Sequence, residues 1–356
     1  MFKNNDIDFT LLSQNIKHWG KSIGFQDVRV SSCDNSIAFK HLKQWLDKKY
    51  HGEMGYMENN LSLRQNPARL HAGTLRIISA RLNYASSVKL NKKTLRDKQK
   101  AYISQYALGR DYHKVIRKKL KQLGQKINQE VPHNYRAFTD SAPILERAYA
   151  EQAGLGWIGK NTMLINKQAG SYFFLGELLT NIPLPIDQAT TQSHCGSCRA
   201  CIDICPTAAI IAPNQLDARR CISYLNIEYK GSIPVELRSK MGNRIVGCDD
   251  CQLICPWNKF TKITEENDFL PRHELDASDL IKLFAWTEQE FLQKTEGSAI
   301  RRIGYTCWLR NIAVALGNAP PSQNTIDVLS RQKDHPNSLV REHVDWALTQ
   351  QQAKAQ

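Results

Sequence analysis

The chain has 356 residues, 42% of them apolar, enough for two or three folded domains at roughly 150 residues each. Lysine and arginine number 48 against 34 acidic residues, a formal charge of +14, which excludes an acidic or intrinsically disordered protein and points to a polyanionic partner such as nucleic acid. No apolar run reaches the roughly 18 to 20 residues that span a bilayer, and Asp6 and Asp8 stand where a signal peptide needs an apolar stretch, so no membrane contact and a cytoplasmic location are expected.

From the N-terminus, Ile7, Leu11, Leu12, Ile16 and Trp19 recur at helical spacing and are followed by Gly20 and Gly24, while Val28 and Val30 alternate as in a strand. Residues 74–88 predict a second strand region, and the stretch from Tyr102 to Ile127 predicts a long amphipathic helix. The chain up to about residue 185 is therefore expected to be mixed α/β. Charge within it is uneven, with 13 Lys or Arg between Lys89 and Lys126 against two acids, Asp97 and Asp111. Such a stretch is either a solvated helix face behind a lysine-rich loop or a surface for phosphates.

In FTDSAP, Asp140 and Ser141 precede a helix-like run with Pro143 in its first turn, the grammar of an N-cap, with a proton donor as the functional alternative. GLGWIGK at 154–160 matches GxGxxG, but a dinucleotide site needs a strand before and a helix after, and here the order is reversed. Gly154 is read as a helix C-cap and Gly156 and Gly159 as turn residues. A proline-interrupted connector at 181–187 then leads into a cysteine-rich interval. Beyond it, helical periodicity returns in residues 278–293, 299–318 and 337–350, and the last two runs read as paired helices of a HEAT-type repeat.

Ten cysteines in a reducing compartment argue for metal rather than disulfides. CGSCRACIDICP places Cys195, Cys198, Cys201 and Cys205 in the CxxCxxCxxxCP spacing of bacterial ferredoxins, in which the fourth thiolate serves the neighbouring cluster. CDDCQLICP is a degenerate second copy with Cys248, Cys251 and Cys255, and Ile245 stands where its first cysteine would be, a gap that Cys221 can fill. Eight thiolates are what two four-iron four-sulfur (4Fe-4S) clusters require. Crossing over as in two-cluster ferredoxins assigns Cys195, Cys198, Cys201 and Cys255 to one cluster and Cys205, Cys221, Cys248 and Cys251 to the other. A pair of four-cysteine zinc sites is the competing reading, disfavoured by the three-cysteine run and the two CxxxCP endings. Cys33 and Cys307 remain as packing residues. Clusters that pass single electrons, embedded in so much additional chain, imply an enzyme rather than a plain ferredoxin.

Taken together, DSAPILERAYAEQAGLGWIGKNTMLI, the upstream HGEMGYM and NPARL, the paired cysteine motifs and the late SAIRRIGYTCWLRNIAVALGN give a chain that resembles the epoxyqueuosine reductases over nearly its whole length. The resemblance implies a cobalamin-binding α/β (α+β) catalytic domain at 1–185, a ferredoxin-like domain with two 4Fe-4S clusters at 186–265, and an all-α HEAT-like tRNA-binding domain at 266–356. It implies a monomer that reduces epoxyqueuosine to queuosine at the wobble position of tRNA, the last step of queuosine biosynthesis. Low-valent cobalamin would attack the epoxide, with electrons relayed by the clusters from an external one-electron donor such as ferredoxin or flavodoxin. By family position Asp140 is the acid that meets the developing alkoxide, its carboxyl kept protonated by desolvation beside the cofactor. Arg64, Lys160, Ser223 and the backbone of Cys248 and Asp249 are implied corrin contacts, with ordinary surface or turn chemistry as the alternative.

DYHKVI is similar to the DxHxxG that supplies an axial histidine in cobalamin methyltransferases, but Ile116 stands in the glycine position and His113 is not assigned to cobalt. Charge placement nominates Lys92, Lys93, Arg117, Lys118, Arg301, Arg302 and Arg310 as contacts to the tRNA backbone. Two other readings remain: a corrinoid iron–sulfur reductive dehalogenase of small molecules, which would have no use for so basic a surface, and a non-catalytic iron–sulfur RNA-binding protein, which would not need the DSAPxLER segment.

Overall fold

The computed structural model describes residues 7–189 and 192–356. Helix α1 (Phe9–Ile23) starts where the Asp8 carboxylate accepts the Thr10 and Leu11 amides, and it ends at Gly24, whose φ of 106° few other residues adopt. Gly20 lies inside the helix rather than after it: a Cβ there would stand 2.4 Å from Val28 Cγ2, so its absence lets the helix settle on the first strand. Strands β1 (Asp27–Ser31), β2 (Arg76–Asn83), β3 (Tyr135–Phe138) and β4 (Phe173–Thr180) form one antiparallel sheet in the order β1-β2-β4-β3. Ser79 on β2 and Phe138 on β3 both pair with Glu177 on β4.

Alternation along the strands divides the sheet into two faces. Val28, Val30, Ile78 and Leu178 pack with Leu12 and Ile16 of α1 and with Leu120 of α3 (Tyr112–Glu130); α2 (Ser36–Asp47) packs instead on the short helix Leu61–Gln65. On the opposite face Ile77, Phe138 and Leu179 meet Ile144 and Tyr149, the latter from α4 (Glu146–Gln152).

Two helix starts differ from expectation. The helix expected from Tyr102 begins only at Tyr112, because Tyr102–Ile103 is drawn into a parallel pairing with Arg244–Val246. Gly109 then runs so close to Asp268 and Phe269 that a Cβ would lie 2.6 Å from their backbone, and Asp111 caps the helix by accepting the His113 amide. Likewise α4 begins at Glu146, leaving residues 140–145 as an irregular loop.

In the cysteine-rich interval two short helices, Ala200–Asp203 and Asp250–Leu253, pack together, each set within one of the cysteine motifs. The C-terminal part is helical, with α5 (Tyr305–Asn318), α6 (Gln323–Ser330) and α7 (Ser338–Ala355) as its main helices. Trp308, Leu309, Ile312 and Leu316 of α5 pack against Val340, Val344 and Ala347 of α7, and the same core takes in Ala101, Ile103, Ile245 and Val246. The helical end and the Tyr102–Ile103 ladder therefore share one interior. No helix among the described residues is long and apolar enough to cross a membrane.

Candidate active site and four-thiol sites

The eight motif cysteines lie in two sets of four. Burial pushes the Cys201 thiol up, and its neighbours Cys255, Cys195 and Cys198 push it further, while Cys255 in turn feels Cys195 and Cys198. In the second set burial raises Cys221, Cys248 and Cys251, with Cys205 acting on Cys221, Cys221 on Cys248, and Cys221, Cys201 and Cys205 on Cys251, so the two sets adjoin at Cys201 and Cys251. Cys198 of the first set is exposed, so this set borders the surface. Among the described residues no three His, Cys, Asp or Glu side chains converge as a single metal ion requires. Four thiols around a shared volume are the donor set of a 4Fe-4S cluster, and two such sets suit a two-cluster relay. Cys307 is buried in the helical core, and Cys33 packs beside the sheet.

A second constellation gathers around Asp140. Its backbone is left-handed, with φ 55°, and it does not cap α4; its amide donates instead to the Glu146 carboxylate. The Tyr112 hydroxyl donates to Asp140 Oδ2, and His113 Nε2 lies 3.2 Å from the same oxygen. The other ring nitrogen, Nδ1, lies 2.8 Å from Asp111 Oδ1, and Arg302 Nη2 donates to Asp111 Oδ2 at 2.6 Å. His113 thus stands between two carboxylates.

Burial opposes charge on Asp140, but the hydrogen bonds from His113 and Tyr112 and the nearby positive charge outweigh it and hold the carboxyl below its ordinary range. Asp111 and Asp140 outweigh the burial of His113 and raise it above its ordinary value. Asp111 itself is held at about 2, since the His113 hydrogen bond and Arg302 overcome its burial. Tyr112, His113, Asp111 and Arg302 escape sequence reasoning as a group because Arg302 is 191 residues from Asp111.

The cleft continues past Asp140 to Tyr56, pushed up to about 12 by burial and by Glu228 and Asp140. Glu228 ends a π-helical turn, Tyr224–Glu228, a distortion that often marks functional sites. Arg64 faces the same cleft: it is buried, donates Nη2 to Tyr56 O at 3.1 Å, and leaves Nε without a partner. A buried unpartnered donor beside an open cleft suits a group with amide oxygens on its rim, as a corrin has.

The other expected corrin contacts, Asp249 apart, are less buried than Arg64. The Lys160 ammonium donates to Gly196 O and Cys198 O at 2.6 and 2.8 Å and so braces the first cysteine loop. The Ser223 amide points to the Cys221 sulfur. The Asp249 carboxylate is taken up by the Tyr102 hydroxyl, Ser104 and the Gln105 amide, and its carbonyl accepts the Gln252 and Leu253 amides. Tyr106 stands edge-on to Tyr112 with ring centroids 6.1 Å apart, and the Gln105 amide beside it donates to Asp249 at 3.0 Å.

Of the nominated phosphate contacts, Lys92 and Lys93 are exposed on the helix Val88–Arg96, and Arg117 and Lys118 are exposed on α3. A groove of about 650 Å³ lined by Arg117, Lys121, Arg136 and Ser141 runs to the Asp140 loop. Arg301 is exposed, whereas Arg302 is committed to Asp111 and His113. Arg310 is a correction: it is fully buried and donates to the carbonyls of Tyr229, Gly231 and Leu225, each at 2.8 Å, so no phosphate can reach it. GLGWIGK forms no nucleotide loop; Gly154 follows α4 with φ 83°, and Gly156 passes so close to Ile165 O that a Cβ would lie 2.3 Å away.

Comparison with known proteins agrees with this geometry. Residues 64–141 match the family described as "Epoxyqueuosine reductase QueG, DUF1730", and residues 194–258 match the "4Fe-4S double cluster binding domain". The chain is 57% identical over 338 residues to an epoxyqueuosine reductase of Pseudomonas aeruginosa, covering 95% of this chain and 94% of that one. It is 56% identical over 347 residues to that of Escherichia coli K12, covering 97% and 91%. A crystal structure of epoxyqueuosine reductase with a tRNA-Tyr epoxyqueuosine-modified stem loop superposes with a TM-score of 0.89 at 30% identity, covering 96% of this chain and 91% of that one.

Proposed function

Because the chain belongs to the epoxyqueuosine reductase family, we propose that it reduces the epoxide of epoxyqueuosine in a tRNA anticodon stem-loop to the alkene of queuosine, with loss of the oxygen as water. The observation that carries this reading is the position of Tyr106, whose ring stands edge-on to Tyr112, the partner of Asp140, and whose neighbour Gln105 donates its amide to Asp249, next to Cys248. When bound, two 4Fe-4S clusters supply one-electron transfer and cobalamin supplies a low-valent cobalt able to open a strained epoxide. The two sets of four cysteines hold the clusters, and Arg64, Tyr56 and the Tyr224–Glu228 turn border the cofactor cleft.

His113 and Asp140 share one proton. Asp140, whose side chain is 58% exposed, presents it to the oxygen as the C–O bond opens, and Asp111 and Arg302 keep the ring oriented. Arg117, Lys118 and Lys121 along the groove hold the RNA backbone beside the Asp140 loop. The labour divides between a catalytic part at 1–185, a ferredoxin-like electron relay at 186–265 and a HEAT-like helical part at 266–356 that helps grip tRNA. The protein works as a monomer fed by a ferredoxin- or flavodoxin-type donor. The test is conversion of an epoxyqueuosine-bearing stem-loop by protein reconstituted with iron, sulfide and cobalamin under a chemical reductant, read by mass spectrometry of the nucleoside. Absence of product from fully loaded protein refutes the proposal.

A further inference from the structure

Glu177 projects from the middle of β4 with 0% exposure, and among the described residues neither of its carboxylate oxygens meets an N–H or O–H donor. The acid nearest it in the electrostatics is Glu146, the first residue of α4, a half-buried side chain on a helix that packs against β4. Two neighbouring carboxylates, one of them fully buried, disfavour both being ionised, so the pair favours holding a proton. Burial and the charge of Asp140 push Glu146 up to about 7, and burial and Glu146 hold Glu177 well above the carboxylate range.

Glu146 also accepts the Asp140 amide, and with Tyr112, Asp140 and Arg147 it lines a cavity of about 160 Å³. Phe173, Phe174, Leu175 and Met163 form its apolar side, and the polar side, formed by these four side chains with Thr139 and Ser171, has partners for a short chain of waters. The charged and titratable groups facing the pair are Asp140 from its loop, Tyr112 and His113 from α3, Arg147 and Tyr149 from α4, and Arg64 from the helix Leu61–Gln65.

We infer that the Glu146–Glu177 pair stores one proton and reloads Asp140 during the reaction. The inference rests on the proposed function, whose balance demands two protons. Taking an epoxide to an alkene consumes two electrons, delivered through the reduced centres named above. As the first C–O bond breaks the oxygen takes one proton and becomes a hydroxyl; as the second breaks it takes another and leaves as water. The His113–Asp140 couple accounts for one. The second has to reach the same carboxylate while the substrate covers the cleft, and the cavity joins Asp140 to a carboxyl pair that favours holding a proton near neutrality. Solvent restores the pair after product leaves.

The test uses the reconstituted enzyme and the variants Glu177→Gln and Glu146→Gln, whose amides keep the packing but hold no transferable proton. Infrared difference titration should show a protonated-carboxyl band in the wild type at pH 7 that both variants lose. In single turnover with pre-reduced enzyme, both should form queuosine at least about tenfold more slowly above pH 7 and approach the wild-type rate near pH 6, where solvent supplies the proton. Retention of the band in both variants, or wild-type rate and pH profile in both, overturns the inference. Should Glu177→Gln not fold, Glu146→Gln at the cavity wall carries the test. Failure of loaded wild-type enzyme to form any queuosine would refute the proposed function instead, and the infrared band would still decide whether the pair holds a proton.

Discussion

Replacing Asp140 by Asn separates chemistry from folding at this position. The left-handed backbone, φ 55°, suits Asn as well as Asp, so the substitution introduces no strain. Because the Asp140 side chain is 58% exposed, losing its ionic contacts with His113 and Arg302 should cost at most about 1 kcal/mol of stability. The amide cannot pass on a proton, and removing a positioned acid slows the step by roughly two to four orders of magnitude, about 3 to 5 kcal/mol of barrier. His113 also loses a partner that raises its pKa. In the wild type the protonated ring stabilises the fold below the unfolded histidine pKa, and that contribution is lost as pH rises through the higher folded value. Asp140→Asn should shrink this loss. The assay is single-turnover conversion of the modified stem-loop under chemical reduction, with iron, corrin and melting temperature matched to wild type. A wild-type rate in folded, fully loaded Asp140→Asn protein would refute the assignment of Asp140 as the group that protonates the oxygen.

Cys221→Ala should lower iron content and abolish turnover, whereas Cys33→Ala and Cys307→Ala should leave both unchanged; iron analysis decides. Arg310→Met strands three carbonyls and should lower stability by about 3 to 5 kcal/mol in urea unfolding, with no change in the salt dependence of tRNA binding. Neutralising Arg117, Lys118 and Lys121 together should flatten the log–log salt slope by roughly two to three units, about 0.7 to 0.9 per phosphate contact, and an unchanged slope would return this face to plain solvent exposure. Since the folded state binds the Glu146 proton more tightly than the unfolded chain, stability should fall as pH rises from 4.5 to about 7. Glu146→Gln should flatten that fall in denaturant midpoints measured across the range.

Legibility followed the range of the interactions. Cluster ligation obeys a local spacing rule plus a count, so the CxxCxxCxxxCP motif and its degenerate partner made a two-cluster domain readable, and residues 194–258 match one. Helix α1 and strand β1 were readable from a periodic apolar face, and β2 from a continuous apolar-rich run buried on both sides of the sheet. The start of α3 was not, because the tertiary pairing of Tyr102–Ile103 with Arg244–Val246 overrides a helical pattern. Local grammar made Asp140 a helix cap, whereas the structure spends its carboxylate on Tyr112 and His113, a contact set by the packing of α3 under its loop. Charge counting could not tell Arg310, sealed among carbonyls, from Arg301 on the surface, because burial is a property of the fold.

The bond from the Tyr102 hydroxyl to Asp249, 2.9 Å long, joins residues 147 apart in the chain, and beside it Tyr102–Ile103 pairs with Arg244–Val246. During vectorial synthesis the four-stranded sheet has all its strands once Thr180 has emerged, but this clasp must wait for Asp249. The second four-thiol set must wait for Cys251 and the first for Cys255, only a few residues later. Closing the loop and completing the iron sites are therefore nearly simultaneous, late events on the ribosome. A nascent chain released just before that point presents an open strand edge and six motif thiols without a complete set, a state that differs from the finished protein in exposed backbone and free sulfur.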